Sequence, residues 1–285
     1  EVQLRSDRRE VELELRSDPL IMPATTRATL LLALLASSAR GFAPSRPAGR
    51  RQATATCRRS HNRMLEEKPR PLYCVNVKLC VTPAARDTFL TCIRENQAGT
   101  LRTEPLAVKY LVGEDAHTPN TFHFLEQYMG EAGFAAHTES AHFKAWEVFA
   151  ATEPFTAPPM VAFYEEDLIG PCAWAVADVN PGQALYCRSA ALAVLPDRRV
   201  DFLAAARAAQ QGALTFEQAC ATFIFGEDLN TPNTFHMFEQ YMGEDGWLEH
   251  VKSESFAAWS TFEATAPFSS LPTAAFYETI EPTKE

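Results

Sequence analysis

Residues 113–130 read GEDAHTPNTFHFLEQYMG and residues 226–243 read GEDLNTPNTFHMFEQYMG, with 14 of 18 positions identical. The offset of 113 holds without a gap from Tyr73/Tyr186 to Glu165/Glu278, so the chain carries two copies of one 93-residue unit. A repeat at fixed spacing governs the architecture, and two copies are too few for a solenoid. The expectation is two small domains, or one domain built from two halves. Identity is uneven: 13 of 40 positions match over Tyr73–Val112 and 17 of 35 over Glu131–Glu165. Something held 113–130 still while its flanks drifted. Turn geometry with a buried hairpin would do so, and so would a site, since loops on a rigid scaffold often carry function.

Within one copy, Tyr73–Val81 alternates with β-branched residues and reads as a strand. Pro83 can open a helix carrying Phe89, Leu90 and Ile93, closed at Gly99. Leu106–Val112 is a second strand, mirrored by Ala219–Phe225, and Gly-Glu-Asp with Thr-Pro-Asn is turn chemistry. Thr121–Tyr128 follows as a strand, with Phe122, Phe124, Glu126 and Tyr128 on one face and His123, Leu125 and Gln127 on the other. A single helix over 131–151 would put Phe134/His137 and Phe143/Trp146 on nearly opposite sides, so two helices are expected, the second capped by Ser140 (Ser253 in the mate). Met160–Tyr164 is the last strand. The order β-α-β-β-α-α-β places helices on one face of an antiparallel sheet, an α+β layer. The open face of each sheet is expected to pair with its tethered mate. The expected division is 1–70 leader, 71–166 first domain, 167–184 linker rich in Gly and Pro, and 185–285 second domain.

The length of 285 suits about two domains. A composition of 46% hydrophobic and 22% charged residues is that of a globular protein. The net charge of −10 conceals a split: residues 1–70 hold 14 Lys/Arg against 8 Asp/Glu, the rest 12 against 28. So acidic a body repels phosphate backbones and anionic lipid heads, which excludes nucleic acid and membrane surfaces as partners of the mature form. The seven cysteines form no C-x-x-C pair, which argues against a disulfide framework and a zinc site, and reduced thiols are expected.

Glu1–Ile21 lacks apolar periodicity, and Met22 is the expected start. Residues 22–39 then read as a signal peptide, with Arg27, an apolar run from Leu30 to Ala36, and small residues at 37–39. Residues 40–70 read as a transit peptide, since eight arginines and no acid lie between Pro23 and Leu65. The join Ser38-Ala39-Arg40-Gly41-Phe42-Ala43-Pro44 resembles the bipartite leaders of algae with complex plastids. A plastid location is therefore expected, with secretion the alternative.

Glu126-Gln-Tyr128, His137, Ser140-Ala-His142-Phe143 and Trp146 recur as Glu239-Gln-Tyr241, His250, Ser253, Phe256 and Trp259. This pattern resembles the antibiotic biosynthesis monooxygenase (ABM) domain family over both repeats, 186 of 285 residues. The resemblance implies tandem ferredoxin-like domains forming an intramolecular pseudodimer. Many family members are small oxygenases of quinols or polyketides that use neither metal nor flavin; others are isomerases, and one branch degrades haem. That branch has a histidine ligand where this chain has Glu147 and Ser260. His142 becomes Ser255 in the mate, so it is not shared machinery.

The resemblance thus implies a cofactor-independent monooxygenase of a quinol-like or other electron-rich aromatic substrate, with O2 as partner and no metal. His137 and His250 have the intrinsic pKa for proton transfer near neutrality, and Glu126 and Glu239, desolvated between aromatics, would have raised pKa values. Phe122, Phe124, Tyr128 and Trp146, with Phe235, Tyr241 and Trp259, would wall the cavity. Each has a structural alternative: a carboxylate that only orients a histidine, a packed histidine, a core aromatic. His123 and His236 are expected at the interface between halves, and Asn120 and Asn233 in turns. A non-catalytic pseudodimer that binds a small ligand or a protein, and an isomerase, are the alternative functions.

Overall fold

The computed structural model describes residues 71–167 and 185–280. The leader read over 1–70 and all but the first residue of the linker lie outside them.

The first repeat runs β1 (Tyr73–Cys80), α1 (Arg86–Thr103), β2 (Ala107–Asp115), β3 (Thr121–Tyr128), α2 (Glu131–Thr138), α3 (Ala141–Ala150) and β4 (Met160–Glu165). The second runs β5 (Tyr186–Ala193), α4 (Arg199–Phe216), β6 (Cys220–Glu227), β7 (Thr234–Tyr241), α5 (Gly243–His250), α6 (Glu254–Glu263) and β8 (Thr273–Thr279). The element order is the one expected. Ser140 Oγ accepts the Phe143 N–H at 3.2 Å and Ser253 Oγ the Phe256 N–H at 3.1 Å, so both caps form.

Two expectations about glycine are corrected. Helix α1 does not close at Gly99 but continues to Thr103. A Cβ at Gly99 would lie 2.6 Å from His142 Nδ1, and one at Gly212 would lie 2.7 Å from Ser255 Cβ. These glycines let α3 and α6 approach the long helices, at an intrinsic cost of about 1 kcal/mol each. Gly113-Glu-Asp was expected in the turn, yet it belongs to β2. The turn itself is built by Asp115, whose Oδ1 accepts the N–H groups of His117 and Thr118 at 2.9 Å, and by Asn120 at φ 60°. Asp228 and Asn233 (φ 63°) repeat this arrangement.

The strands form one antiparallel sheet of order β4-β1-β3-β2-β8-β5-β7-β6. Its halves join where β2 pairs with β8 through Gly113↔Thr279, Glu114↔Glu278 and Asp115↔Tyr277. The outer edges also meet. The Leu229 N–H donates to Phe163 O at 2.8 Å and the Asp167 N–H to Phe225 O at 2.7 Å. Their pseudo-symmetric partners are Ala116 N–H to Phe276 O and Ile280 N–H to Val112 O, both 2.7 Å. The sheet thus curls into a near-barrel with both edges engaged, which removes the pairing liability of a free edge.

Both seams need a glycine. A Cβ at Gly113 would sit 2.3 Å from Glu278 O, and one at Gly226 would sit 2.1 Å from Glu165 O. Leu72, Cys74, Leu125 and Tyr164 meet Cys187, Ile224, Phe238 and Tyr277 on the inward face. His123 stacks on Tyr277 (5.4 Å) and His236 on Tyr164 (5.5 Å), each imidazole held by its own Asp115 or Asp228. They are interface residues, as their strand phase implied. The five described cysteines (74, 80, 92, 187, 220) are free thiols. Among the described residues no helix is long and apolar enough to cross a membrane.

Gly226→Ala is expected to cost about 3 kcal/mol or more in chemical unfolding, the upper end for overpacking, because backbone is what the methyl meets. Gly130→Ala faces open space, and its backbone at φ 77°, ψ 173° makes it cost about 1–3 kcal/mol by strain alone. A loss for Gly226→Ala below that for Gly130→Ala would mean that the seam is not held by close approach.

Candidate functional site

Each repeat encloses an acid and an imidazole between sheet and helices. Glu126 (β3) and Glu239 (β7) project toward the helix layer at 6% and 2% exposure, and each accepts a hydrogen bond at 2.7 Å from the tyrosine two residues on, Tyr128 or Tyr241. The imidazoles are buried on α2 and α5. His137 Nδ1 lies 2.8 Å from Glu104 Oε1, and His250 Nδ1 lies 2.6 Å from Glu217 Oε2. Glu104 and Glu217 belong to no motif, and their pair is one of the 13 identities over Tyr73–Val112. Burial opposes ionisation of Glu104, yet hydrogen bonds and charge from His137 and His142 hold its carboxyl below the usual range; His250 and Ser255 do the same for Glu217. An ionised carboxylate only accepts, so the proton sits on each Nδ1 and Nε2 is left to exchange protons. Glu126 and His137 do not hydrogen-bond each other, and Glu104 is the histidine's partner.

Glu104, His137 and His142 bring three ligand-type atoms within 4.8 Å. His142 Nε2 and His137 Nδ1 reach the same Oε1 at 2.5 and 2.8 Å. Atoms that each bind a metal at about 2.0–2.2 Å stand farther apart than this. The cluster is hydrogen-bonded in this geometry, and its mate replaces His142 by Ser255.

The two interiors differ. In the second repeat a hollow of about 210 Å³ opens between β5–β8 and the helices, with Arg188, Glu239 and His250 among its walls. Trp247, Phe223, Phe256, Trp259 and Phe276 supply the aromatic surface. Ala209 and Phe223 line it, where the first repeat has Asn96 and Tyr110. Those two are 2% exposed each, and Asn96 Nδ2 donates to Tyr110 Oη at 3.0 Å, filling the helix–sheet contact. Met237 also replaces Phe124.

Cross-strand register sets the charge. Glu126 lies opposite Val75 and Tyr110, whereas Glu239 lies opposite Arg188 and Phe223. Arg188 Nη1 donates to Glu239 Oε1 at 2.5 Å, and its guanidinium sits 5.6 Å from the Trp247 ring centroid. Glu126 has no such cation, and burial pushes its carboxyl pKa up. Arg188 escaped the sequence reading. The available signal was a charge on the same strand face as Tyr186, Ala190 and Leu192, at a position where the other repeat has valine.

Of the residues read as walls, Trp259 lines the hollow. Phe235 packs on Phe202 at 4.4 Å, and Phe122 on Phe89 at 4.4 Å, as helix–sheet core. Phe124 meets Tyr110 edge-on at 6.3 Å, and Trp146 packs on Phe89 and Phe149. Tyr128 and Tyr241 serve as hydrogen-bond donors to the acids.

Two ferredoxin-like halves closed into one barrel, each with a buried acid and a carboxylate-held imidazole, define a single-chain pseudodimeric α+β barrel. The sequence profile of the antibiotic biosynthesis monooxygenase family matches residues 72–148 and 185–261. The chain belongs to that family. A solved structure from Lactobacillus acidophilus, assigned as a monooxygenase, superposes with TM-score 0.61 at 14% identity, over 75% of this chain and 95% of that one. One from Fusobacterium nucleatum, likewise assigned, gives TM-score 0.65 at 13% identity, over 74% and 93%. An anthrone oxidase-like protein gives TM-score 0.54 at 13% identity, over 74% and 91%. Such coverage spans both repeats, and at these identities the likeness is one of fold. Among curated proteins, none matches.

The two acids should respond oppositely to neutralisation. A raised carboxyl pKa means that ionising Glu126 costs stability as pH rises past the unfolded carboxylate pKa, so Glu126→Gln should be as stable as the parent, or more so, at neutral pH. Glu239→Gln strands Arg188 and should cost on the order of 3 kcal/mol in chemical unfolding. For Glu104 the depressed pKa contributes stability above the unfolded pKa and loses it as pH falls through the folded one. The destabilisation of Glu104→Gln should accordingly vanish on acidification.

Proposed function

We propose that the protein is a monooxygenase that oxidises a quinol-like or other electron-rich aromatic substrate with O2, without metal or organic cofactor, in the hollow of its second repeat. The observation that carries this reading is an aromatic-walled cavity of about 210 Å³ at which Glu239 and the imidazole of His250 converge, with Glu263 a second carboxyl on its wall. Membership of the family supports the reaction class, and the solved monooxygenase-assigned structures share the fold.

Glu239 is placed to take a proton from the substrate, which makes it electron-rich enough to pass an electron to O2. The radical pair combines as a carbon-bound peroxide. His250, oriented by Glu217, supplies a proton to the distal oxygen, and loss of water leaves a carbonyl on the ring. Overall a ring methylene and O2 become a ketone and water. The aromatic walls exclude bulk water and keep the proton donors effective. The first repeat, where Asn96 and Tyr110 stand in place of Ala209 and Phe223, acts in this reading as the partner that closes the barrel.

Aerobic incubation with a panel of hydroquinones and naphthols should consume one O2 per ketone formed, and anaerobic incubation should give no product. Glu239→Gln with His250→Gln should lower the rate about 10²–10⁴-fold, while Glu126→Gln leaves it unchanged. Product without O2 uptake would instead make the protein an isomerase. We also propose a plastid location, supported by the leader sequence: residues 22–70 fused to a fluorescent reporter should enter the plastid, and secreted fluorescence would refute it.

A further inference from the structure

Arg188 has no counterpart in the first repeat, where Val75 stands, and no structural need explains it, because Glu126 is buried there without a cation. Its side chain is 17% exposed, it lines the hollow, and its one hydrogen bond within the described residues goes to Glu239. A guanidinium carries five N–H donors in a planar fork, suited to an anionic oxygen. Four of Arg188's donors therefore remain for a ligand. The Trp247 ring, 5.6 Å from the guanidinium, gives an aromatic occupant a surface to pack on. The cavity is smaller than a drug-sized pocket, so the occupant is a small molecule of one or two rings.

From this geometry we infer that the hollow selects aromatics bearing an ionisable oxygen, a phenol or an enol, and that Arg188 holds this oxygen as the anion. The inference rests on the second repeat being the substrate site. Before binding, the site holds the Arg188–Glu239 ion pair, with His250 and Glu263 the other titratable groups on its wall. On binding, the substrate O–H bond breaks, its proton passes to Glu239, and the phenolate replaces the carboxylate on Arg188. One ion pair is exchanged for another, Glu263 taking no part, so the net charge of the cavity does not change. That neutrality removes the large cost of burying a lone phenolate. Arg188 is thereby a residue that determines substrate class, as well as the partner of the base.

The test uses 4-nitrophenol, whose phenolate is coloured, bound to the full chain under nitrogen. The probe should bind with its apparent pKa lowered by at least one unit. Arg188→Val, which recreates the Val75–Glu126 pairing that the first repeat folds with, should abolish the shift. A second arm needs no variant: phenol, which has a proton to give to Glu239, should displace the probe at least tenfold more strongly than its methyl ether anisole. An unchanged or raised pKa, a shift that survives in Arg188→Val, equal competition by the two benzene derivatives, or no binding up to millimolar probe would each overturn the proposal. Neither arm involves oxygen. A positive result therefore stands even if hydroquinone oxidation fails, and oxidation with no anion preference would refute the role of Arg188 alone.

Discussion

A four-stranded sheet with helices on one face leaves its other face apolar and its outer strands with unpaired backbone groups. Each half of this protein meets both needs with the other half. Strand β2 runs beside β8, and β6 approaches β4, close enough that the two seams tolerate only hydrogen at Gly113 and Gly226. Once the seams close, the inward side chains of both halves share one core, and Tyr277 and Tyr164 become stacking partners for His123 and His236. The positions of the acids follow, because the strand phase that sends His123 inward sends Glu126 and Glu239 outward under the helices.

Within that common frame the two helix–sheet interiors differ through a handful of side chains. Asn96 and Tyr110 bond to each other where Ala209 and Phe223 leave room. Val75 is neutral where Arg188 is charged. Each change alters volume or charge, so one scaffold yields two different interiors, the second of them hollow. The carboxylate–imidazole pairs, Glu104 with His137 and Glu217 with His250, persist in both. They tie α2 and α5 to the residues that end α1 and α4.

Most of the fold was legible because a gapless repeat and period-two strands constrain topology strongly. The near-identity of 113–130 was legible as a fact but not in its cause. Gly113 looked like turn chemistry, and only the seam reveals the carbonyl that forbids a methyl there. Gly99 looked like a helix stop for the same reason: sequence shows a missing side chain, not the neighbour that requires its absence. The site was half legible. Glu239, His250 and Trp259 stand out in the sequence by strand phase and motif, and all three line the hollow. Arg188, Glu217 and Ala209 were missed because their importance lies in what stands across a strand or under a helix, which a linear pattern does not encode. Phe122, Trp146 and Phe235 were read as cavity walls, yet they are core, since an aromatic stripe at helical or strand spacing reads the same whether it meets a ligand or another ring.

The joining of both halves in one polypeptide has an evolutionary consequence. When such a barrel assembles from two identical subunits, every substitution lands twice, and a change that fills one cavity fills both. Here a substitution lands once. One half could take Asn96 and Tyr110 into its helix–sheet contact, while the other kept Ala209 and Phe223 there and admitted an arginine whose duplication across a symmetric barrel was never required.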